Sequence, residues 1–319
     1  MKSSQNFLRL VFIGFIVYTL IALFIGIPDI KKSLFLISYK WWLVSLLFPL
    51  IVHSLLSIRW FYFLRYLGCS IKLIDSIKVY FAGLTLIAAP ARTGEAIRGI
   101  WLFNKYNIPV NNGVGITIVE RFGELISALT LLSYSLFIYQ PSFLIVLTTS
   151  FFIFLLILYN NQLMLNFIKG LRKFVFFRKI YDKKNFLKQV SLTYQKVRTL
   201  LLPKPLSLSI FIGMVAWILE SLLLYFVFRE LGVSFSLRQA IVIRTAMGIG
   251  GVLSLLPAGL LVAESTSIAL SISYGSGRAE AFAATMFLRI YTLYLPFVLG
   301  ILFYSFQEGL NKKAFEITS

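Results

Sequence analysis

Six stretches of the chain are apolar over enough residues to cross a bilayer: 7–27, 41–58, 114–139, 142–160, 207–228 and 282–305. The hydrocarbon core is about 30 Å thick, so a spanning helix takes about 20 mostly apolar residues. Four shorter apolar pieces, 77–90, 93–104, 239–256 and 258–273, are brief or cut by Pro and Gly. Pieces of that length predict half-helices that enter and return, or broken spans. The pattern predicts an all-α, polytopic membrane helix bundle with two broken or re-entrant elements, in a single integral membrane domain over 1–319. The first run has no charge after Arg9 and ends in "IGIPDI" without a small-residue cleavage site. It reads as a retained span rather than a cleaved signal.

The broken elements resemble each other. "LTLIAAPARTGEA" and "GVLSLLPAGLLVAES" each run apolar, then Pro-Ala, then glycine, then glutamate: Pro90, Gly94 and Glu95 against Pro257, Gly259 and Glu264. Arg121 follows the first proline by 31 residues and Arg289 the second by 32. The expectation is an inverted repeat: a first half over 1–160 with its motif at 90–98, a connection over 161–206, and a second half over 207–319 with its motif at 257–264. Inverted repeats with interrupted helices are a recurrent transporter architecture. In a chain this rich in Leu and Gly, chance similarity is the competing explanation.

Composition fits this picture. The chain is 59% hydrophobic and 13% charged, against roughly 25% charged in soluble domains. Its formal net charge is +19, which in a soluble protein would suggest nucleic acid. Here the basic residues sit in loops, where orientation and anionic headgroups account for them, and no nucleic acid is implied. Segment 161–206 holds eleven Lys or Arg and one acid, Asp182, so it is expected in the cytoplasm, with the Gln140–Pro141 tip outside. Arg59, Arg65, Lys72 and Lys78 then fall inside, as do both termini, the C-terminal one marked by Lys312 and Lys313. Lys31, Lys32 and Lys40 run against this scheme. The expected location is the plasma (inner) membrane. Within the connection, Phe167, Leu171, Phe174 and Val175, then Val190, Tyr194, Val197 and Leu201, recur at helical spacing, which predicts amphipathic helices on an anionic membrane surface.

Redox and metal chemistry find little material. One cysteine, Cys69, excludes an internal disulfide and a thiolate cluster, and one histidine, His53, lies in an apolar run and reads as a packed, hydrogen-bonded side chain, with a proton relay as the alternative. No cofactor and no metal is expected, and no P-loop is present.

Charge at depth is the conspicuous chemistry. Arg92, Glu95, Arg98, Glu120, Arg121, Glu124, Glu220, Arg244, Glu264 and Arg289 lie in or beside apolar segments. One charged side chain at the bilayer centre costs about 2.5–3.5 kcal/mol on insertion scales, so these must pair, reach an interface or line water. Arg92 with Glu95, Glu95 with Arg98, and Arg121 with Glu124 are spaced three apart, on one helix face. Pro90 breaks the preceding helix, and Thr93 is placed to cap a new one whose free amides favour anions. Two arginines and a carboxylate at such a break can hold a phosphate. Internal salt bridges that only lock helices together are the plainer alternative.

At these residues the chain resembles the flippase-like membrane domain of lysylphosphatidylglycerol synthases, a family that includes stand-alone members. The likeness covers roughly residues 10 to 305. It rests on "PARTGEAIR" with Pro90, Arg92, Gly94, Glu95 and Arg98, on "VERFGE" with Glu120, Arg121 and Glu124, and on "LLPAGLLVAES" and "FLR" with Pro257, Gly259, Glu264 and Arg289. In the second motif the family pattern is rich in glycine, with a basic residue before the glutamate; this chain has Ala258, Leu261 and Ala263 there. The resemblance implies movement of a phospholipid or lipid-linked headgroup between leaflets. Headgroup binding would fall to Arg92, Glu95, Arg98, Glu120, Arg121, Glu124, Glu264 and Arg289, and helix breaking to Pro90, Gly94, Pro257 and Gly259. The soluble aminoacyltransferase domain of the bifunctional synthases has no counterpart before the chain stops at Ser319, so aminoacyl transfer is not expected. The implied partners are membrane lipids, anionic or phosphate-bearing. A synthase or transferase partner and a homo-oligomer are both compatible with the sequence. Two other classes remain at this stage: an intramembrane transferase with Glu95 or Glu120 as general base, and an accessory scaffold of a lipid or glycan synthase.

Overall fold

The computed structural model describes residues 27–136 and 186–305; the side chains of 27–31, 90–93 and 186–187 lie outside the description. The expected spans 7–27 and 142–160, and most of the basic connection, fall on residues outside it. No strand occurs among the described residues, and three of the helices are apolar and long enough to cross a membrane: Tyr39–Tyr66, Pro203–Glu230 and Arg278–Ser305.

In chain order the helices are α1 (Ile27–Leu36), α2 (Tyr39–Ser45), α3 (Leu47–Tyr66), α4 (Leu73–Gly83), α5 (Arg98–Tyr106), α6 (Val110–Leu136), α7 (Phe186–Leu200), α8 (Pro203–Glu230), α9 (Leu237–Leu253), α10 (Val262–Ser273) and α11 (Arg278–Arg289). The last continues through a π-helical stretch, Ile290–Tyr294, to Ser305. The fold reads as one pattern used twice. A long helix (α3, α8) leads into a helix–break–helix hairpin (α4/α5, α9/α10), and a second long helix (α6, α11) follows.

The hairpin breaks sit where the prolines predicted, with different local shapes. Around the first, the α-helix already tightens to 3-10 geometry at Leu84–Leu86, and 3-10 geometry returns over Pro90–Ile97. The α-helix resumes only at Arg98, with Ile97 in the cap position, so the cap expected at Thr93 is displaced by four residues. Gly94 is required by close approach: a Cβ there would lie 2.6 Å from the Leu86 Cβ. The second break, Pro257–Gly259, is shorter. Its backbone is left-handed at Leu255 (φ 54), Ala258 (φ 55), Gly259 (φ 64) and Leu261 (φ 72). Ala258 and Leu261 thus take, without glycine, the conformation for which glycine is the usual residue. The two tips meet inside the bundle, where Ala258 N–H donates to Ala88 C=O at 2.7 Å. No arm of one hairpin packs along an arm of the other. Hairpins entering from one side would lie side by side; contact confined to the two tips and to α9 against the first tip fits entry from opposite sides.

A second trace of the repeat becomes visible with the fold. "RYLGCSIKL" after α3 and "RELGVSFSL" after α8 are the same turn. In each, three amides bond back alike: Leu67, Gly68 and Cys69 to Phe63, Arg65 and Leu64, and Leu231, Gly232 and Val233 to Val227, Arg229 and Phe228. Gly68 (φ 77) and Gly232 (φ 76) close the helices in left-handed conformation, as helix-terminating glycines do.

Small residues bring α6 and α8 together. A Cβ on Gly123 would lie 2.2 Å from Ser209 Oγ, and one on Gly213 would lie 2.4 Å from Ser127 Oγ. Ser127 Oγ donates to the Gly123 and Ile210 carbonyls. Without a hydrophobic drive between helices in lipid, such close contact and interhelical bonding is what holds them. Helix α7 corrects the expectation for the basic connection. Its helical spacing is as predicted, but Val197 and Leu200 are buried against the bundle. Gly115 of α6 lets the backbone of α7 approach, so this apolar edge packs on protein.

Candidate functional site

Three arginines and three glutamates form one network across α3, the first tip, α5 and α6. Arg98 reaches Glu95 Oε2 at 2.8 Å and Glu120 Oε2 at 3.0 Å, and its Nε donates to the Glu95 carbonyl at 3.0 Å. Arg59 holds Glu124 Oε1 at 2.7 Å and lies 3.6 Å from Glu120 Oε1. Arg121 joins Glu124 Oε2 at 2.7 Å and Glu95 Oε2 at 3.3 Å. The Arg98 guanidinium lies 4.3 Å from the Trp60 ring centre and 5.2 Å from that of Tyr80, which adds cation–π attraction.

The network is graded by burial. Arg59, Glu95, Arg98 and Glu120 are at most 1% exposed. The side chains of Arg121 and Glu124 are 23% and 14% exposed. Arg59 is therefore no cytoplasmic topology marker, as its place near other basic residues had suggested. It lies on the inner face of α3 one position before Trp60, and an arginine in the middle of an apolar helix was its only sequence signal.

The second half contributes two further pairs. Arg289 Nε donates to Glu264 Oε1 at 2.7 Å, and its NH2 to the Ala258 carbonyl at 3.1 Å. Arg244 pairs with Glu220 and lies 4.5 Å from the Trp217 ring centre. The Trp217 indole N–H donates to the Glu124 carbonyl at 3.1 Å, tying the halves together. Gly248 leaves room for that indole. The repeat explains the placement: the offset of 164 that carries Gly68 to Gly232 carries His53 to Trp217 and Tyr80 to Arg244. Each pair is in contact, His53 Nδ1 lying 3.2 Å from Tyr80 Oη. One position thus became a hydrogen-bonded histidine in the first half and a cation-bearing indole in the second.

All five outer charges meet at one cavity of about 130 Å³ between the halves. Arg121, Glu124, Glu220, Arg244 and Arg289 line it with Trp217, tip residues Ile87, Ala89, Ala258 and Gly259, and apolar Val52, Leu56, Met247, Val252 and Leu293. That is room for a phosphate-sized group or a few waters. Of the eight residues expected to bind a headgroup, Arg121, Glu124 and Arg289 line the cavity. Glu264 stands directly behind Arg289, and Glu95, Arg98 and Glu120 form the layer behind Arg121. The side chain of Arg92 lies outside the described residues. Glu220 and Arg244 were visible in the sequence as charges at depth, but only the fold brings them to this wall. Among the described residues the ten embedded charges are five arginines and five glutamates. No group of His, Cys, Asp and Glu suited to a metal ion occurs among the described residues.

The family described as lysylphosphatidylglycerol synthase TM region matches residues 8–300. Among similar curated proteins is the UPF0104 membrane protein PH1989 of Pyrococcus horikoshii, 23% identical over 316 residues, covering 91% of this chain and 94% of the relative. Two proteins of Methanocaldococcus jannaschii are also similar. UPF0104 membrane protein MJ1078 is 25% identical over 70% of this chain and 94% of its own length. UPF0104 membrane protein MJ1595 is 22% identical over 91% of this chain and 92% of its own length.

Proposed function

Because the chain belongs to the lysylphosphatidylglycerol synthase transmembrane-region family, we propose that it moves a phosphate-bearing lipid headgroup between leaflets through the cavity between its halves. The observation that carries this reading is that three guanidinium groups, from α6, α9 and α11, meet on one cavity beside the carboxylates of Glu124 and Glu220, with a largely apolar remaining wall. Arginine matches phosphate oxygens with paired donors. The apolar wall suits the glycerol backbone and the first methylenes of the tails, which stay in hydrocarbon while the head crosses. Each cavity arginine has its own carboxylate, so the site is not an unneutralised cationic hole before a headgroup arrives. The buried layer of Arg59, Glu95, Arg98 and Glu120 fixes the positions of Arg121 and Glu124. Arg92, in the first tip, adds a positive charge beyond the balanced ten.

In the orientation we propose, 161–206 and both termini are cytoplasmic, the first hairpin opens from the cytoplasm and the second from outside, and the membrane is the plasma membrane. The lipid is anionic or phosphate-bearing. Without a P-loop in the sequence, transport is passive, ion-coupled or driven by a partner.

The test is leaflet exchange of fluorescent phospholipids in proteoliposomes, comparing the native chain with Arg92→Ala, Arg121→Ala and Arg244→Ala. Exchange above empty vesicles, reduced at least about tenfold in Arg121→Ala and Arg244→Ala, is expected, since a charge-assisted contact is worth about 1.5–3 kcal/mol. Rates equal to empty vesicles for every protein would end the proposal.

A further inference from the structure

Ala258 is bonded in two directions. Its N–H holds Ala88 of the opposite tip at 2.7 Å, and its carbonyl accepts from Arg289 NH2 at 3.1 Å. Arg289 faces the cavity, and Glu264 holds its Nε at 2.7 Å. The backbone carrying this junction is strained: Leu255, Ala258 and Leu261 are all left-handed, and Leu261 (φ 72, ψ −53) has γ-turn geometry. Strain held by surrounding contacts is released when one of those contacts goes.

We infer that Arg289 is a ligand sensor, coupling entry of an anion into the cavity to the parting of the two tips. The inference rests on the reading that this cavity takes a phosphate headgroup. A phosphate oxygen offers Arg289 NH2 an anionic partner, which adds a charge–charge attraction that the neutral Ala258 carbonyl cannot supply. Glu264 keeps Nε, so the guanidinium pivots instead of leaving. Ala258 then keeps only its bond to Ala88 across the halves, and the strained turn relaxes away from the first tip. Lipid headgroup and free phosphate share the chemistry that would trigger this step.

The experiment uses the full chain with Cys69→Ser, Ala88→Cys and Ala258→Cys, in vesicles of digalactosyldiacylglycerol, a bilayer lipid without phosphate. Copper-phenanthroline cross-linking is timed alone, with inorganic phosphate, and with vesicles that also contain phosphatidic acid. The expected result is cross-linking slowed about tenfold by phosphatidic acid, within the range of ordinary coupling energies. Slowing by inorganic phosphate as well would assign recognition to the phosphate group itself; slowing by the lipid alone would add the tails. Arg289→Gln is expected to remove the dependence on either. A rate that ignores both probes overturns the inference. Leaflet exchange is then measured before and after oxidation. Exchange that stops on oxidation and returns with dithiothreitol supports the sensor, and equal exchange in both states overturns it. Should the reduced protein not exchange lipid while cross-linking still answers to a probe, translocation fails and the sensor stands.

Discussion

Arg59 and Arg121 share the carboxylate of Glu124, yet their surroundings give them different work. Arg59 is wholly buried, and truncating it leaves Glu120 to Arg98 and Glu124 to Arg121, with one uncompensated negative charge in the buried layer. Arg59→Ala should cost about 3–5 kcal/mol, the usual penalty for breaking a buried pair. Arg121→Ala, at a partly exposed site, should lower exchange with a much smaller loss of stability. Thermal unfolding followed by tryptophan fluorescence separates the two; similar melting points for both variants would contradict the grading by burial. The second tip makes the opposite prediction. Left-handed backbone costs a residue with a Cβ roughly 1–2 kcal/mol, so Ala258→Gly should raise stability by up to about 1 kcal/mol once the added freedom of the unfolded chain is counted. Gly259→Ala should lower it, because the new Cβ would lie 2.6 Å from the Gly251 Cα. The sequence made Glu95, Arg98, Arg121 and Glu124 legible through their spacing of three, which places them on one helix face. Arg59 was illegible because its partners come from α6, more than sixty residues on, and no local spacing encodes that.

Among the helices, the long apolar ones were readable because about twenty apolar residues have no other comfortable place. α6 was readable despite Glu120, Arg121 and Glu124, which keep it from passing as an ordinary lipid-facing helix. The hairpin arms were readable as short apolar pieces cut by proline. Their 3-10 and left-handed turns were not, since Ala258 and Leu261 give no sign of left-handed backbone. α7 was half legible. Its periodicity marked an apolar edge, but periodicity cannot say whether lipid or protein covers that edge. Gly115 supplies the answer, and Gly115→Leu should push α7 off α6. Limited proteolysis should then cut within 186–200 faster than in the native chain, and unchanged cleavage would mean that the helix is held elsewhere.

For the molecule as a whole, the opposed entry proposed for the hairpins has a direct topological consequence. Ser70 and Ser234 are exposed and occupy equivalent places just beyond the two matching turns. With Cys69→Ser as background, Ser70→Cys and Ser234→Cys in sealed vesicles should react with a membrane-impermeant maleimide from opposite faces. Labelling of both from one face would refute the inversion. The native Cys69 should react poorly: it is buried, burial pushes its thiol pKa up, and Asn112 Nδ2 donates to its sulfur at 3.0 Å.

The matching turns at Gly68 and Gly232 also bear on origin. In the inverted arrangement proposed above, the twin units descend most simply from a single short protein that entered the bilayer in both senses and paired with its own mirror-sense copy. Such an ancestor needs nearly equal positive charge at its two ends. Fusion removes that freedom, and in the proposed orientation the lysine-rich joint between the twins decides which way the whole chain sits. Neutralising the lysines of 161–206 should return the modern chain to a mixed population, visible as double-sided labelling of the same cysteine.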